Sequence, residues 1–295
     1  MAAGYNHAMS NILEALSSEI EASGAVKSSH WSHHTKVGDG FGVAHRGGRL
    51  NNFWHWSAQR FLHPGDTVFT SREYSDMRDW CRTQGRALNM DSLRHVFTHR
   101  LLNELVPDAR VICVIGDGQA NFTGPALYRP KQGQKLVSVN LPEVLIADQK
   151  LLLQSGVVSE LSTAVARTRE EFEAAMSDPG IVLILVPANH AEILKSAGVD
   201  LFVNIASFQE MTPALVAEYF DIVKSNHATL YCCNREEKVL YGGERLVFDE
   251  YPWENGERLL WEPCPWHQHF YAKRPPFVRA FDGPFTHALV RFPSP

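Results

Sequence analysis

Two closely spaced glycines that follow a short apolar run are the residues best placed to form a ligand-binding loop. The segment VICVIGDGQANFTG occupies residues 111–124, with Gly116 and Gly118 directly after the run VICVI. Glycine lets a backbone turn tightly and lets a ligand approach it closely, because no Cβ stands in the way. The spacing predicts a ligand-binding loop after a buried strand, although a purely structural turn fits the same pattern.

The next strand should supply the second half of a nucleoside site. A third glycine for the nicotinamide fingerprint G-x-G-x-x-G would stand at position 121, where the chain has Asn121. Nucleotide-binding sheets commonly place an acidic residue at the end of the following strand, where it binds ribose. The segment KLVSVNLPEVL puts Asn140 there, and an amide donates and accepts hydrogen bonds without the strength that a charge adds.

Titratable side chains follow later apolar runs and are candidates for a general base. Glu210 in NIASFQEM is the first candidate, and its alternative is a carboxylate stabilised by the start of the next helix. His190 in VPANHAEIL could also take up a proton near neutral pH, or it could cap a helix or face solvent. His267 and His269 in WHQHF alternate onto one strand face and could line an acceptor pocket or be structural.

A histidine cluster near the N-terminus raises the question of a metal. His30, His33 and His34 lie in HWSHH, and His45 is close in sequence. Magnesium prefers carboxylates and water to imidazole, and the spacing matches no zinc motif. We therefore expect no metal site.

Short apolar runs alternate with helical stretches from residue 111 onward. We predict strands at 111–115, 135–139, 181–186, 200–205 and 228–233, with helices near 143–154, 168–177, 190–197 and 213–224. Such alternation predicts a parallel sheet covered by helices on both faces. The segments 266–272 and 286–292 have no helix between them, so we predict that they close the sheet as antiparallel neighbours.

The first hundred residues lack strong alternating runs and predict helices and loops. Helices are expected over 11–22, near 51–62 and over 88–106, with a loop at 38–50. We therefore divide the chain into a helical and loop cap region, 1–104, and a ligand-binding α/β domain, 105–295.

Composition limits the classes of partner. The 295 residues carry 28 Lys+Arg against 33 Asp+Glu, a net charge of −5, and no long basic run, so we expect no nucleic-acid partner. No run reaches the roughly 18 apolar residues of a membrane span, and the first twenty residues are amphipathic rather than a signal peptide. The five cysteines suggest reduced thiols, and we expect a cytoplasmic protein that binds a small molecule, with a homo-oligomer left open.

Three segments together resemble the sugar O-methyltransferase family of class I S-adenosylmethionine-dependent methyltransferases. The resemblance is carried by VICVIGDGQANFTG, by VSVNLPEVLIADQKLLL and above all by DLFVNIASFQEMTPALVAEYF followed by LYCCNR. It covers about residues 105–255, and Asn-Phe-Trp at 52–54 extends it upstream. The chain departs from the family pattern at Gln119 and Ala120 in the loop and at Asn140, where the family has aspartate.

The resemblance implies an α/β, Rossmann-like class I methyltransferase sheet in which parallel strands close with an antiparallel pair, preceded by a mainly helical N-terminal cap. It implies S-adenosylmethionine as cofactor and a sugar or sugar-like hydroxyl as methyl acceptor. The catalytic candidates are then Glu210, His190 and His267. The residues expected to bind the cofactor are Gly116, Asp117, Gly118, Asn121, Asn140, Leu141, Pro187, Ser207 and Phe208.

Two other functions remain open from the sequence. One is a nicotinamide-dependent oxidoreductase, which Asn121 and the closing antiparallel pair disfavour. The other is a catalytically degenerate methyltransferase-fold binding protein, which Asn140 and the absence of an unambiguous base in the sequence favour.

Overall fold

The computed structural model of the protein describes residues 12–20, 46–271 and 277–294. Its helices are α1 (12–20), α2 (Arg49–Leu62), α3 (Arg72–Thr83), α4 (Met90–Leu105), α5 (Thr123–Ala126), α6 (Pro142–Ser155), α7 (Arg169–Ser177) and α8 (Pro213–Ser225). Its strands are β1 (Val111–Ile115), β2 (Lys135–Asn140), β3 (Thr163–Val165), β4 (Leu183–Pro187), β5 (Leu201–Ile205), β6 (Thr229–Arg235), β7 (Glu237–Val239), β8 (Arg245–Val247), β9 (Glu257–Pro263), β10 (His269–Tyr271), β11 (Val278–Ala280) and β12 (Phe285–Arg291).

One sheet of eight strands has the order β3-β4-β2-β1-β5-β6-β12-β9. The first six strands of this order pair in parallel, whereas β12 runs antiparallel to both β6 and β9. A reversed strand inserted near one edge is the arrangement of the class I methyltransferase sheet, so the predicted fold class is confirmed. The short strand β3 extends the opposite edge.

The partner of the closing strand differs from the sequence prediction. β12 pairs with β9 at 257–263, and not with the segment 266–272, whose described residues supply only the short strand β10 of a separate hairpin with β11. Most of β9 is exposed or half-buried, so its sequence ERLLWEP lacks the clean alternation by which a strand is recognised.

Helices cover both faces of the sheet, because alternate residues of each buried strand point to opposite sides. Cys113 and Ile115 of β1 pack in a core with α7 and α8, represented by Phe172 and Phe220. On the other face, α3, α4 and α6 contribute the side chains of a second core, which also contains Leu136 of β2.

Several local expectations hold and others do not. Strands β1, β2, β5 and β6 and helix α4 lie within about two residues of their predicted positions. The segment predicted as a helix at 190–197 is instead a 3-10 helix over Ala188–Leu194. Helix α3 was not predicted, and the loop expected at 38–50 lies largely outside the described residues. The division of the chain at 104/105 stays a prediction.

Candidate functional site

A cleft of about 1250 Å³, part of it open to solvent, lies beyond the carboxyl ends of β1, β2 and β5. Parallel strands that end at one edge bring their following loops together, which is where doubly wound sheets bind ligands. Most of the predicted site residues line this cleft: Gly116, Asp117, Gly118, Asn121, Asn140, Leu141, Ser207, Glu210 and His267.

The glycine loop is held by its own buried carboxylate. The two oxygens of Asp117 accept hydrogen bonds from the backbone N–H groups of Phe122 and Thr123, at 3.0 and 2.7 Å. Burial raises the pKa of Asp117, and these hydrogen bonds oppose that rise. Asp117 therefore shapes the turn into α5, rather than presenting its carboxylate as a solvent-facing ligand group.

Gly116 is required by both conformation and space. Its φ is +76°, and a Cβ at this position would lie 2.5 Å from Cβ of Ser207. The loop after β1 and the turn after β5 thus meet at van der Waals contact, which the absence of one side chain permits.

Asn140 lies at the end of β2, at the position predicted for a ribose-binding residue. Its Oδ1 accepts from the N–H of Leu141 at 2.9 Å, and its Nδ2 donates to the carbonyl of Asp117 at 3.4 Å. These bonds orient the amide across the mouth of the glycine loop. The amide can accept a second hydrogen bond through Oδ1 and donate another through Nδ2.

A buried amide network fixes the turn that carries Glu210. Asn204 at the end of β5 accepts from Phe208 N–H and from Asn234 Nδ2, and Asn234 accepts in turn from Gln209 N–H at 3.1 Å. Both asparagines are fully buried. Because the network ties β5 to β6, the backbone of the turn is held rigidly at the cleft.

Glu210 lines the cleft and has a pKa near neutrality. Burial raises the pKa of Glu210 to about 7, and the positive charges of Lys238 and Arg235 moderate the rise. A carboxylate with such a pKa can hold and release a proton at physiological pH.

His267 lines the cleft, but its ring nitrogens face protein groups. Nε2 contacts the guanidinium of Arg94, which also donates to Asp91, and Nδ1 lies 3.5 Å from Sγ of Cys233. Burial, reinforced by Arg94, holds the pKa of His267 well below its ordinary value. The ring stacks on Phe285 at 3.9 Å between centroids, so His267 forms a packed wall.

Three predicted residues do not line the cleft. His190 lies beside α1, with Nε2 at 2.8 Å from Oε2 of Glu19. Phe208 is fully buried and packs on Tyr219 in the core. Pro187 ends β4 and only its neighbour Ala188 reaches the cleft.

Residues of the N-terminal part of the chain also belong to the site and were not predicted. Asp91, Arg94 and His95 on α4 line the cleft, and Arg86 donates hydrogen bonds to Gln119 and Asn121 of the glycine loop. The local pattern could not place Arg86 or Arg94 there, because Gln119 and Asn121, which bind Arg86, and His267, which contacts Arg94, are all more than thirty residues away in the chain. A cationic side chain flanked by buried apolar residues is the one weak signal.

The described residues hold neither a metal-binding cluster nor a membrane-spanning helix. Within the described ranges, no group of three or more His, Cys, Asp or Glu side chains is arranged to hold a metal ion. His30, His33, His34 and His45 lie outside those ranges. In the part of the chain that the structure describes, no helix combines the length and apolar character that a membrane crossing requires.

Comparisons with known proteins find similarity in structure alone. No protein-family model and no curated protein sequence matches the chain. The chain is similar to the methyltransferase domain of bacterial CtHen1-CN (10% identity, 69% of this chain and 100% of that one, TM-score 0.42). It is also similar to mitomycin 7-O-methyltransferase MmcR (13%, 81% and 68%, TM-score 0.42) and to the N-terminal domain of EvdMO1 in the presence of SAH and D-fucose (12%, 68% and 83%, TM-score 0.39). At such low identity and TM-score, these similarities assign no chemistry to the cleft.

Proposed function

We propose that the protein is an S-adenosylmethionine-dependent O-methyltransferase that acts on a hydroxyl of a neutral, sugar-like small molecule. One observation carries this proposal: a single cleft brings the glycine loop and Asn140 to one side and Glu210, with a pKa of about 7, to the other. The first side can bind a nucleoside cofactor, and the second can take a proton from a hydroxylated acceptor.

The residues on the cofactor side fit a nucleoside. Gly116 and Gly118 line the cleft, and the Asn140 amide can pair with ribose hydroxyls. Bound S-adenosylmethionine would supply an electrophilic methyl group. The same observations disfavour a nicotinamide cofactor, because Asn121 stands where its fingerprint requires glycine.

Glu210 takes the proton of the acceptor hydroxyl in this proposal. Its carboxylate lines the cleft on a rigid turn, and its raised pKa makes it a competent base near neutral pH. Arg94 and Asp91 can hydrogen-bond other hydroxyls of the acceptor, and the His267 wall excludes water from that side.

The charges of the cleft favour a neutral acceptor. Among the described residues that line it, Arg94 is the single lysine or arginine, and its guanidinium already pairs with Asp91. Two further acidic residues, Asp117 and Glu210, line the same cleft. An anionic acceptor would meet little net attraction here, whereas a polyol would find both donors and acceptors.

Transfer of a labelled methyl group tests the proposal. The protein is incubated with methyl-labelled S-adenosylmethionine and a panel of neutral monosaccharides, with sugar phosphates as the charged counterpart, and products are identified by mass spectrometry. We expect a methyl ether on a neutral member of the panel. Binding of the cofactor without transfer to any hydroxylated acceptor would favour the degenerate binding protein instead.

A further inference from the structure

Arg86, from the region before the sheet, reaches the glycine loop with both ends of its guanidinium. Nη2 donates to Oδ1 of Asn121 at 2.9 Å, and Nη1 donates to Oε1 of Gln119. The two hydrogen bonds therefore bracket Ala120. Asn121 lines the cleft, so this contact joins Arg86 directly to the wall of the site.

The bracketed backbone has a conformation that residues with a Cβ rarely adopt. Gln119 has φ of 59° and Ala120 has φ of 47°, both in the left-handed region. Glycine would occupy these positions without strain, but this chain has none there. A strained conformation of this kind persists only where the surrounding structure holds it.

Arg86 is itself presented from a rigid support. Its N–H donates to the carbonyl of Cys81 at 2.9 Å in the turn that ends α3. Helix α3 packs directly on α5, the helix that follows the glycine loop, because a Cβ at Gly124 would lie 2.5 Å from Cε2 of Trp80. The base of Arg86 is thus fixed relative to the loop.

Two buried carboxyl groups act electrostatically on the guanidinium. Asp117, within the loop, and Asp148, on α6, are both almost fully buried. Burial lowers the pKa of Arg86, and Cys81, Asp148 and Asp117 oppose this effect electrostatically. Burial raises the pKa of Asp117 and, together with the charge of Asp117, raises that of Asp148 well above its ordinary value, whereas the positive charge of Arg86 opposes the rise at Asp148.

We propose that Arg86 is a positioning residue that holds loop 116–121 in its ligand-binding conformation. Its side-chain hydrogen bonds replace the conformational freedom that glycines at 119 and 120 would supply. Arg86 acts through Gln119 and Asn121 and takes no part in the chemical step. The identity of the ligand rests on the proposed function, whereas the conformation of the loop does not.

Hydrogen exchange of the ligand-free, full-length protein tests this inference without any assumption about function. The peptide that covers residues 116–124 is followed by mass spectrometry in the wild type and in Arg86→Gln. We expect its amides to exchange at least about tenfold faster in the variant, since hydrogen bonds from a charged donor hold the loop closed. The control is Arg82→Gln, which removes the same charge from a side chain that is 83% exposed. Unchanged exchange in a folded Arg86→Gln protein would overturn the inference.

Removal of the acceptors probes the same hydrogen bonds from the loop. Gln119→Ala and Asn121→Ala leave the arginine in place, so they also answer the question if Arg86→Gln fails to fold. Each is expected to speed exchange in the same peptide. If neither does, Arg86 does not hold the loop.

Cofactor affinity and a suppressor variant complete the test. We expect Arg86→Gln to weaken S-adenosylhomocysteine binding by about 10 to 100-fold, and Ala120→Gly to restore much of the affinity in the double variant, because glycine adopts the left-handed conformation unaided. Arg86→Gln should raise KM for the cofactor and leave kcat within about threefold.

Unchanged affinity and unchanged exchange together would reject the role of Arg86 while the proposed function stands. If the wild type binds no S-adenosylhomocysteine, the proposed function fails and the exchange result still decides the role of Arg86.

Discussion

Gly116 and Ser207 meet so closely that a Cβ on residue 116 would lie 2.5 Å from Cβ of Ser207. This contact joins the loop after β1 to the turn after β5, and hence joins the two halves of the cleft. This contact, together with the pairing of β1 and β5, positions the residues expected to bind the cofactor relative to Glu210, which is expected to take the proton.

Gly116→Ala should weaken S-adenosylhomocysteine binding by at least about tenfold and lower the melting temperature. The left-handed φ costs a residue with a Cβ about 1–2 kcal/mol, and overpacking adds about 1–3 kcal/mol. Gly133→Ala is the matched control, because Gly133 has φ of +72° and open space around it. The control should show the conformational cost alone, measured by thermal denaturation, with normal affinity. Equal effects of the two substitutions would show that the contact with Ser207 is unimportant.

Glu210→Gln should lower the single-turnover rate by about 10² to 10⁴-fold with cofactor affinity little changed. Because the pKa of Glu210 is about 7, the wild-type rate should rise with pH up to about 7 and then level off. The variant should lose that dependence. Glu218→Gln, an exposed change on α8, is the control. A normal rate with an unchanged pH profile would remove Glu210 from the chemistry.

The same pKa predicts how stability depends on pH. A carboxyl group whose pKa is raised by folding contributes stability that is fully present below its ordinary value of 4.5, and that stability is lost as pH rises through about 7. The Glu210→Gln variant does not lose this stability as pH rises, because glutamine does not ionise. Its melting temperature relative to the wild type should therefore be higher at pH 8 than at pH 5, by calorimetry at both values. A difference that is independent of pH would show that Glu210 ionises normally.

Asn140→Asp should tighten S-adenosylhomocysteine binding, by less than about tenfold. Charge-assisted hydrogen bonds to ribose hydroxyls are worth about 1.5–3 kcal/mol, but the carboxylate would lose the donor that now faces the carbonyl of Asp117. Titration calorimetry of the two proteins measures the difference. Weaker binding by the variant would indicate that the Asn140 amide serves a different ligand group.

His190→Ala should cost stability rather than activity. His190 and Glu19 form a contact of 2.8 Å between the turn after β4 and helix α1, and Asn189 donates to the same carboxylate at 3.0 Å. We expect a lower melting temperature and a single-turnover rate within about threefold of the wild type. Glu19→Gln should reproduce the stability change, and the double variant should be less than additive. A hundredfold loss of rate in His190→Ala alone would restore His190 as a base candidate.

The central sheet was predictable because its strands are buried on both faces. β1, β2, β5 and β6 are short runs made up mainly of buried residues, most of them apolar, and such runs are visible without tertiary information. Helix α3 escaped prediction because its buried stripe of Met77, Trp80 and Cys81 stands among charged residues. β3 escaped because it has three residues at a sheet edge.

The cleft residues that could be predicted are those that follow a strand closely in the sequence. Gly116, Asn140 and Glu210 could be placed from their distance to a strand end, since the topology carries those ends to one edge. Arg86 and Arg94 could not, because tertiary packing alone brings α3 and α4 to the loop. His190 follows a strand as well, yet its turn faces α1.

Titration calorimetry with S-adenosylhomocysteine and, separately, with NAD tests the central claim most directly. If the cleft is a site for the methyl-transfer cofactor, S-adenosylhomocysteine should bind with one site per chain and release measurable heat, and NAD should not bind at a comparable concentration. Gly116→Ala should abolish or greatly weaken that heat. Saturable binding of NAD without binding of S-adenosylhomocysteine, or binding of the latter that Gly116→Ala leaves intact, would contradict the assignment of this cleft.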